Sequence, residues 1–227
     1  MFYIERLSSM TANKMVVFAP HPDDETLACG GTIMRRIREG YDVHIVVMTD
    51  GRHSHDLVLG LQEPSTETIA KVRTAEFSEA TRVLGVDPKN LVLLEFEDNR
   101  LSQHMTEAKA RTVQILHRIQ PVEVYVPYRE DSNEDHRATY EIVRSSFDET
   151  NPMTKMYEYP VWNRNPPHSG LKVIVVDVHN ELARKTEALS KYDSQISKCY
   201  PHQKTPILSR DFVNTFLSDT ETFYAAE

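Results

Sequence analysis

The chain has 227 residues, of which 40% are hydrophobic, enough to bury a sizeable core as one domain. Its formal net charge is −8 and it has no long lysine or arginine run, which argues against nucleic acid or an anionic membrane as a main partner. The amino-terminal residues lack a signal-peptide pattern, and no apolar run reaches the roughly 18 residues of a membrane helix. Cys29 and Cys199 lie far apart, which excludes a disulfide scaffold and makes a reducing cytoplasm the expected location.

Apolar, β-branched runs alternate with segments of helical periodicity along the first two thirds of the chain. Buried strands are predicted at residues 15–19, 43–48, 91–94 and 122–126. Helices are predicted at residues 26–40, 65–85, 106–119 and 138–147. This alternation indicates right-handed βαβ units. We therefore predict a single α/β, Rossmann-like domain over residues 1–227, with a mostly parallel sheet and helices on both faces.

The last third of the chain is less regular. Residues 155–161 and 172–178 are predicted as strands, and residues 181–198 as one amphipathic helix. The composition of residues 162–170 is that of a loop. No internal repeat or domain boundary is evident.

The most polar motif of the chain directly follows the first predicted strand. It contains His21, Asp23 and Asp24, and two prolines stiffen the turn. In open α/β sheets, ligands bind at the carboxyl ends of the strands, which is where this motif falls. Because adjacent residues in a turn aim differently, one aspartate could bind a metal while the other faces a water. The alternative is that both aspartates only cap the following helix.

A catalytic zinc site typically has three protein ligands and one open position. His21 and Asp24 would supply two of them. The best candidate for the third is His136, which follows the strand at residues 122–126 in an acidic loop and leads into a helix. Two histidines and one carboxylate would hold one divalent metal ion, Zn²⁺ or Fe²⁺.

Several segments are similar to motifs of one known family. VFAPHPDDETLACGGT, at residues 17–32, is the most specific, and its glycine pair is included in the similarity. The weaker matches are VMTDGR at residues 47–52, VRTAEFSEATRVLG at 72–85, DHRAT at 135–139 and YDSQ at 192–195. Together they resemble the LmbE/PIG-L-like family of N-acetylglucosaminyl de-N-acetylases.

This resemblance implies a metal-dependent hydrolase that removes the acetyl group from an N-acetylglucosamine-type sugar or glycoconjugate. The metal ligands would be His21, Asp24 and His136. Asp23 would be the general base that takes a proton from the attacking water.

The sequence departs from the commoner family pattern at Asn133. Many members carry a histidine there, three residues before the late metal ligand. An amide can donate a hydrogen bond to an oxyanion but cannot act as an acid. We therefore expect Asn133 to keep only the electrostatic part of the role, with protonated Asp23 as the simplest proton donor to the leaving amine.

Contacts to the substrate are implied at Arg73 and Asp98, which match positions near the family's sugar pocket. They could hold hydroxyls or phosphate, although a surface ion pair and a turn residue are alternatives. Trp162, the only tryptophan, could stack on a sugar or anchor packing. The sequence leaves the oligomeric state open, including a homo-oligomer.

Two other functions fit parts of the pattern. A phospho-receiver signalling module binds Mg²⁺ with an acidic pair and a later aspartate, a set that Asp23, Asp24 and Asp50 match superficially. Such a module is shorter than this chain and gives His21 and His136 no role. A phosphoesterase with two metals about 4 Å apart would need more ligands than the sequence supplies.

Overall fold

The computed structural model describes residues 13–147, 153–163 and 170–226, and its centre is a seven-stranded sheet. The strands are β1 (Lys14–Ala19), β2 (Asp42–Thr49), β3 (Leu91–Phe96), β4 (Glu123–Pro127), β5 (Lys155–Tyr159), β6 (Leu171–Asp177) and β7 (Thr220–Ala226). Their order across the sheet is β3-β2-β1-β4-β5-β7-β6. The first five are parallel, and β7 pairs antiparallel with both β5 and β6. The predicted mostly parallel sheet is confirmed.

Helices cover both faces of this sheet. They are α1 (Asp24–Arg38), α2 (Asp56–Leu59), α3 (Thr66–Leu84), α4 (Met105–Ile119), α5 (Glu134–Phe147), α6 (Leu182–Leu189), α7 (Asp193–Ile196) and α8 (Arg210–Asn214). Successive residues of β1 point to opposite faces: Val17 packs with the core under α1, α3 and α6, and Val16 with the core under α4 and α5. The predicted α/β fold with helices on both faces is therefore confirmed.

Chain connectivity places the polar motifs side by side. From β1 the chain passes through α1 to β2 on one side, whereas β4 pairs with β1 on the other side. The loops that leave the carboxyl ends of β1 and β4 consequently face a shared crevice, where such sheets bind ligands.

The carboxyl-terminal third differs from the sequence prediction. The helix predicted at residues 181–198 is wrong as one element, because α6 ends at Leu189 and α7 begins only at Asp193. Strand β7 and the short helices α2 and α8 were not predicted, since none of these segments has a clear apolar period. Residues 1–12 and 164–169, the latter within the predicted loop, lie outside the described residues. No helix in the described ranges has the length and hydropathy to cross a membrane.

A buried ion pair between α6 and β7 also binds the backbone of helix α1. Lys185 of α6 donates to Glu221 of β7 at 2.7 Å, and the other Glu221 oxygen accepts the backbone N–H of Thr32 at 2.8 Å. Gly31 is required at this contact, because a Cβ there would lie 2.6 Å from the Cβ of Val178. The glycine pair of the first motif thus serves close packing.

We expect Glu221→Gln to lower the free energy of unfolding by about 3–5 kcal/mol, since it leaves the Lys185 ammonium buried without a countercharge. Urea denaturation of the purified protein measures this loss. Glu79→Gln is the matched control, because it breaks an exposed pair with Arg82, and such pairs contribute little. Equal effects of the two substitutions would contradict the prediction.

Candidate functional site

His21, Asp24 and His136 meet at the crevice between β1 and β4. The Nδ1 atom of His21 lies 3.1 Å from Oδ2 of Asp24, and Nε2 of His136 lies 3.2 Å from the same oxygen. One ligand atom from each residue lies within 4.8 Å of the others, and all three residues are buried. The structure therefore brings the three predicted ligands together.

The donor set fits a divalent metal ion. Metal–ligand bonds of about 2.0–2.2 Å in a tetrahedral site separate the ligand atoms by about 3.3 Å, close to the distances to Asp24. Neither ring nitrogen of His136 makes a hydrogen bond among the described residues, although the ring is fully buried. Buried polar atoms are normally satisfied, and a metal ion would satisfy Nε2. Two imidazoles and a carboxylate are suitable ligands for Zn²⁺ or Fe²⁺.

Carboxylates behind His21 orient its ring. Its Nε2 atom lies 3.2 Å from Oδ1 of Asp98 and 3.4 Å from Oδ2 of Asp135. A proton on Nε2 would bond to these carboxylates, leaving the Nδ1 lone pair for a metal. Asp135 is itself held by the backbone N–H groups of Asn99 and Leu101.

His136 has a similar partner. Its Nδ1 atom lies 3.6 Å from Oδ2 of Asp131, a carboxylate that also accepts the backbone N–H groups of Asn133 and Trp162. Burial alone would lower the pKa of His136, but Asp24 and Asp131 outweigh it and raise that pKa to about 9. The site therefore favours a positive charge at this position, either a proton or a metal ion.

Asp23 lies beside the cluster and is held from two sides. Its Oδ2 atom accepts from Nη2 of Arg73 at 2.9 Å, and the same guanidinium bonds the carbonyls of Pro22 and Gly51. Gly51 has to be glycine here, because its φ is +64° and a Cβ would lie 2.3 Å from the Arg73 Nη1. Arg73, predicted to contact substrate, is thus buried and bonded to the loop that carries Asp23.

The backbone of Asp23 is strained. Its φ is 144° and ψ is −29°, a region that residues with a Cβ rarely adopt and that costs about 1–3 kcal/mol. Glu25 supports this conformation by accepting the Asp23 N–H at 3.2 Å, and Tyr192 and Thr26 donate to the Glu25 carboxylate. Tyr192 is the first residue of the YDSQ segment, so this motif stabilises the Asp23 turn through Glu25.

The pKa of the Asp23 side chain is set by burial and by the charges around it. Burial raises the pKa of this carboxyl to about 7, against the opposing effect of the Arg73 guanidinium. A proton acceptor is most effective when its pKa lies near the working pH. Asp24 differs, because its histidine neighbours overcome burial and lower its pKa well below the ordinary value.

Asn133 directly precedes α5, the helix that carries His136. Its Oδ1 atom accepts the backbone N–H groups of Asp135 at 2.8 Å and His136 at 3.3 Å. Within the described ranges its amide nitrogen has no hydrogen-bond partner. The orientation fixed by Oδ1 leaves that N–H₂ group available as a donor, as the sequence analysis requires.

The alternative uses of the motif do not match the geometry. Asp23 is the N-cap residue of α1, but its side chain makes no capping hydrogen bond, so capping does not explain the motif. Asp50, which a receiver-like site would need, is paired with Arg52 instead. A second potential metal group in the described residues consists of His21, Asp98 and Asp135, but it shares His21 with the first.

A small pocket of about 100 Å³ opens onto these residues. It is lined by His21, Asp23, Asp24, Arg73, Asp98 and Asn133, all the predicted site residues except His136. Asp98 is almost fully buried, and besides His21 it accepts the backbone N–H of His53. Contact of Arg73 and Asp98 with a substrate stays a prediction.

Four supporting residues escaped the sequence analysis: Glu25, Asp131, Asp135 and Tyr192. Glu25, Asp135 and Tyr192 lie within the quoted motifs, and Asp131 starts the acidic loop before His136. Their membership in those motifs was the available signal, but only the distances show which candidate site residue each one supports.

Comparison with known proteins identifies the class that this fold and site define. The family model described as PIG-L, GlcNAc-PI de-N-acetylase, matches residues 16–147, more than half of the chain. The protein therefore belongs to the PIG-L family, and the resemblance seen in its sequence is confirmed.

Individual relatives agree with this membership. A 1D-myo-inositol 2-acetamido-2-deoxy-alpha-D-glucopyranoside deacetylase of Mycobacteroides abscessus is 38% identical over 81 residues, which cover 34% of this chain and only 29% of that protein. A probable N-acetyl-alpha-D-glucosaminyl L-malate deacetylase 2 of Bacillus cereus is 25% identical over 95% of this chain and 98% of its own. The crystal structure of N,N'-diacetylchitobiose deacetylase from Pyrococcus horikoshii shares the fold, with a TM-score of 0.69 and 24% identity over 94% of this chain and 83% of that one.

Proposed function

We propose that this protein is a metal-dependent de-N-acetylase that removes the acetyl group from an N-acetylglucosamine-type sugar or glycoconjugate. The observation that carries the proposal is the placement of Asp23 beside the buried cluster of His21, Asp24 and His136. The relatives named above are deacetylases of glucosamine-containing compounds, which supports the same reaction.

His21, Asp24 and His136 would hold one divalent ion, Zn²⁺ or Fe²⁺. An ion held there would act as a Lewis acid, which would lower the pKa of a water molecule and polarise the amide carbonyl. Asp23 accepts the proton as the water oxygen attacks the carbonyl carbon. Arg73 keeps the Asp23 carboxylate oriented through the 2.9 Å hydrogen bond.

Breakdown of the tetrahedral intermediate needs an oxyanion donor and an acid. The amide nitrogen of Asn133 donates to the oxyanion. Asp23, protonated in the first step, returns its proton to the nitrogen as the C–N bond breaks. The products are acetate and the free amine, and Asp23 is again ionised for the next cycle.

The direct test is metal analysis of the purified protein together with acetate release from a panel of N-acetylglucosamine compounds. One transition-metal ion per chain and metal-dependent acetate release are expected. Failure to bind a transition metal after reconstitution would refute the mechanism. Metal binding without acetate release from any compound of the panel would refute the proposed reaction.

Metal affinity should rise steeply with pH. The carboxylates around His136 raise its pKa to about 9 against the effect of burial, and the pKa of His21 is also raised. Both imidazoles must therefore lose a proton before they bind metal near neutral pH. The Kd for Zn²⁺ should fall about tenfold per pH unit for each proton displaced, in competition titrations with a chromophoric chelator between about pH 6 and 8. An affinity independent of pH would contradict this ligand set.

A further inference from the structure

Five apolar side chains line the pocket together with its charged residues. We call these five the apolar wall: Val58, Val161, Trp162, Ile207 and Leu208. Val58 and Trp162 remain 61% and 44% exposed, respectively. Exposed apolar side chains grouped at the edge of a pocket are typical of a ligand contact.

Trp162 is held in a fixed orientation despite its exposure. Its ring stacks on Phe212 with centroids 4.7 Å apart and planes inclined by 21°, and Phe212 in turn packs edge-on against Phe216 at 5.2 Å. Its backbone N–H donates to Asp131, the carboxylate behind His136, at 3.1 Å. Stacking thus holds the indole in place, and the bond to Asp131 connects its backbone to the residues around His136.

The charges around the pocket disfavour an anionic ligand at this wall. Apart from the metal-ligand candidate His21, the basic side chains among the described lining residues are Arg73 and His53. Arg73 is bonded to Asp23, and His53 lies 2.8 Å from Asp56 and 3.2 Å from Glu97. Both side chains are already paired with carboxylates, so neither is a free countercharge for an anionic ligand.

We propose that the apolar wall binds the aglycone of the substrate, and that this aglycone is uncharged and has an apolar face. The inference rests on the proposed function, since the acetamido group must lie at the metal cluster for the rest of the glycoside to reach Trp162. Suitable aglycones are an aryl or alkyl group, or the C–H face of a second sugar ring. A dicarboxylate or phosphate aglycone would contact apolar side chains and would find no free cation, because Arg73 and His53 are already paired with carboxylates.

Binding can be measured directly because Trp162 is the only tryptophan of the chain. Phenyl glucosaminide and 4-carboxyphenyl glucosaminide, which differ by one negative charge, are titrated into the metal-loaded protein while tryptophan emission is recorded. We expect the phenyl compound to change the emission and to bind at least about tenfold more tightly than its carboxylated counterpart. Equal or tighter binding of the carboxylated compound, or no change in emission, would overturn the inference.

A kinetic experiment tests the same inference through substrate preference. Acetate release is measured from methyl, phenyl and 4-carboxyphenyl N-acetylglucosaminide and from diacetylchitobiose. In Trp162→Ala the ratio of kcat/KM for the phenyl over the methyl glycoside should fall about 10- to 100-fold, mostly through KM. Trp162→Phe should retain most of this preference. Val175→Ala removes an exposed apolar side chain from β6, away from the pocket lining, and should leave the ratio unchanged.

The four substrates distinguish a failure of the proposed deacetylase function from a failure of the aglycone assignment. Acetate release from none of them would refute the proposed function itself. Acetate release with an unchanged ratio in Trp162→Ala, or with a preference for the carboxyphenyl glycoside, would overturn only the assignment of the wall. A strong effect of Trp162→Ala on diacetylchitobiose would identify a sugar ring as the natural occupant, whereas an effect limited to the phenyl glycoside would identify a hydrocarbon.

Discussion

Replacement of Asp23 by asparagine is expected to slow acetate release by about 10³-fold while the bound metal is retained. Asparagine keeps the size of the side chain and can still accept the hydrogen bond from Arg73, but it cannot take a proton. Asp23 is not one of the three clustered metal-ligand candidates, so metal content should not change. The measurement is acetate release alongside elemental analysis of the same preparation.

The pH profile provides a second readout for the same variant. Burial raises the pKa of Asp23 to about 7, and only the ionised carboxylate acts as a base. At saturating metal, the wild-type kcat/KM should therefore fall about tenfold per pH unit once Asp23 is protonated, and Asp23→Asn should lack this dependence. Asp87→Asn, which alters an exposed aspartate, serves as the control and should behave as wild type. An unchanged rate in Asp23→Asn would refute the assignment of the base.

The parallel half of the fold could be predicted because periodicity and chirality leave few alternatives. Apolar runs such as residues 15–19 and 43–48 can only be buried strands when helical patterns separate them. Strand β7 was not predicted because its sequence has no clear apolar period, and its antiparallel position between β5 and β6 follows only from the packed sheet. Helix α6 was predicted too long because the turn at Tyr192, whose hydroxyl bonds the distant Glu25, leaves no mark in the periodicity.

The site could be predicted as a set of residues but not as a set of contacts. His21, Asp24 and His136 follow adjacent parallel strands, and strand order alone places them at one edge. The direction of Arg73 could not be deduced, since a helix residue can face solvent, substrate or a loop. Its guanidinium holds Asp23 and two backbone carbonyls, which only the packed structure shows. The assignment of residues 1–227 to a single deacetylase domain stays a prediction.

Substitution of His136 by alanine is expected to abolish metal binding at micromolar metal and to reduce acetate release by at least about 10³-fold. A catalytic site of this kind has three protein ligands, and the remaining His21 and Asp24 cannot hold the ion in a fixed geometry. His117→Ala is the matched control, because His117 is exposed on α4 and far in sequence from the ligand motifs. Wild-type metal stoichiometry in His136→Ala would refute the ligand assignment.

Metal-dependent stability distinguishes loss of a ligand from a general folding defect. A ligand that binds only the folded state stabilises it by about 2.7 kcal/mol at 100 times its Kd. Wild type and His117→Ala should both show this gain between metal-free and metal-loaded samples. His136→Ala should show none, whatever its metal-free stability, because any cost of the cavity left in the buried site is the same in both samples. A full metal-dependent gain in His136→Ala would mean that the ion is held elsewhere, and the mechanism built on this cluster would fail with it.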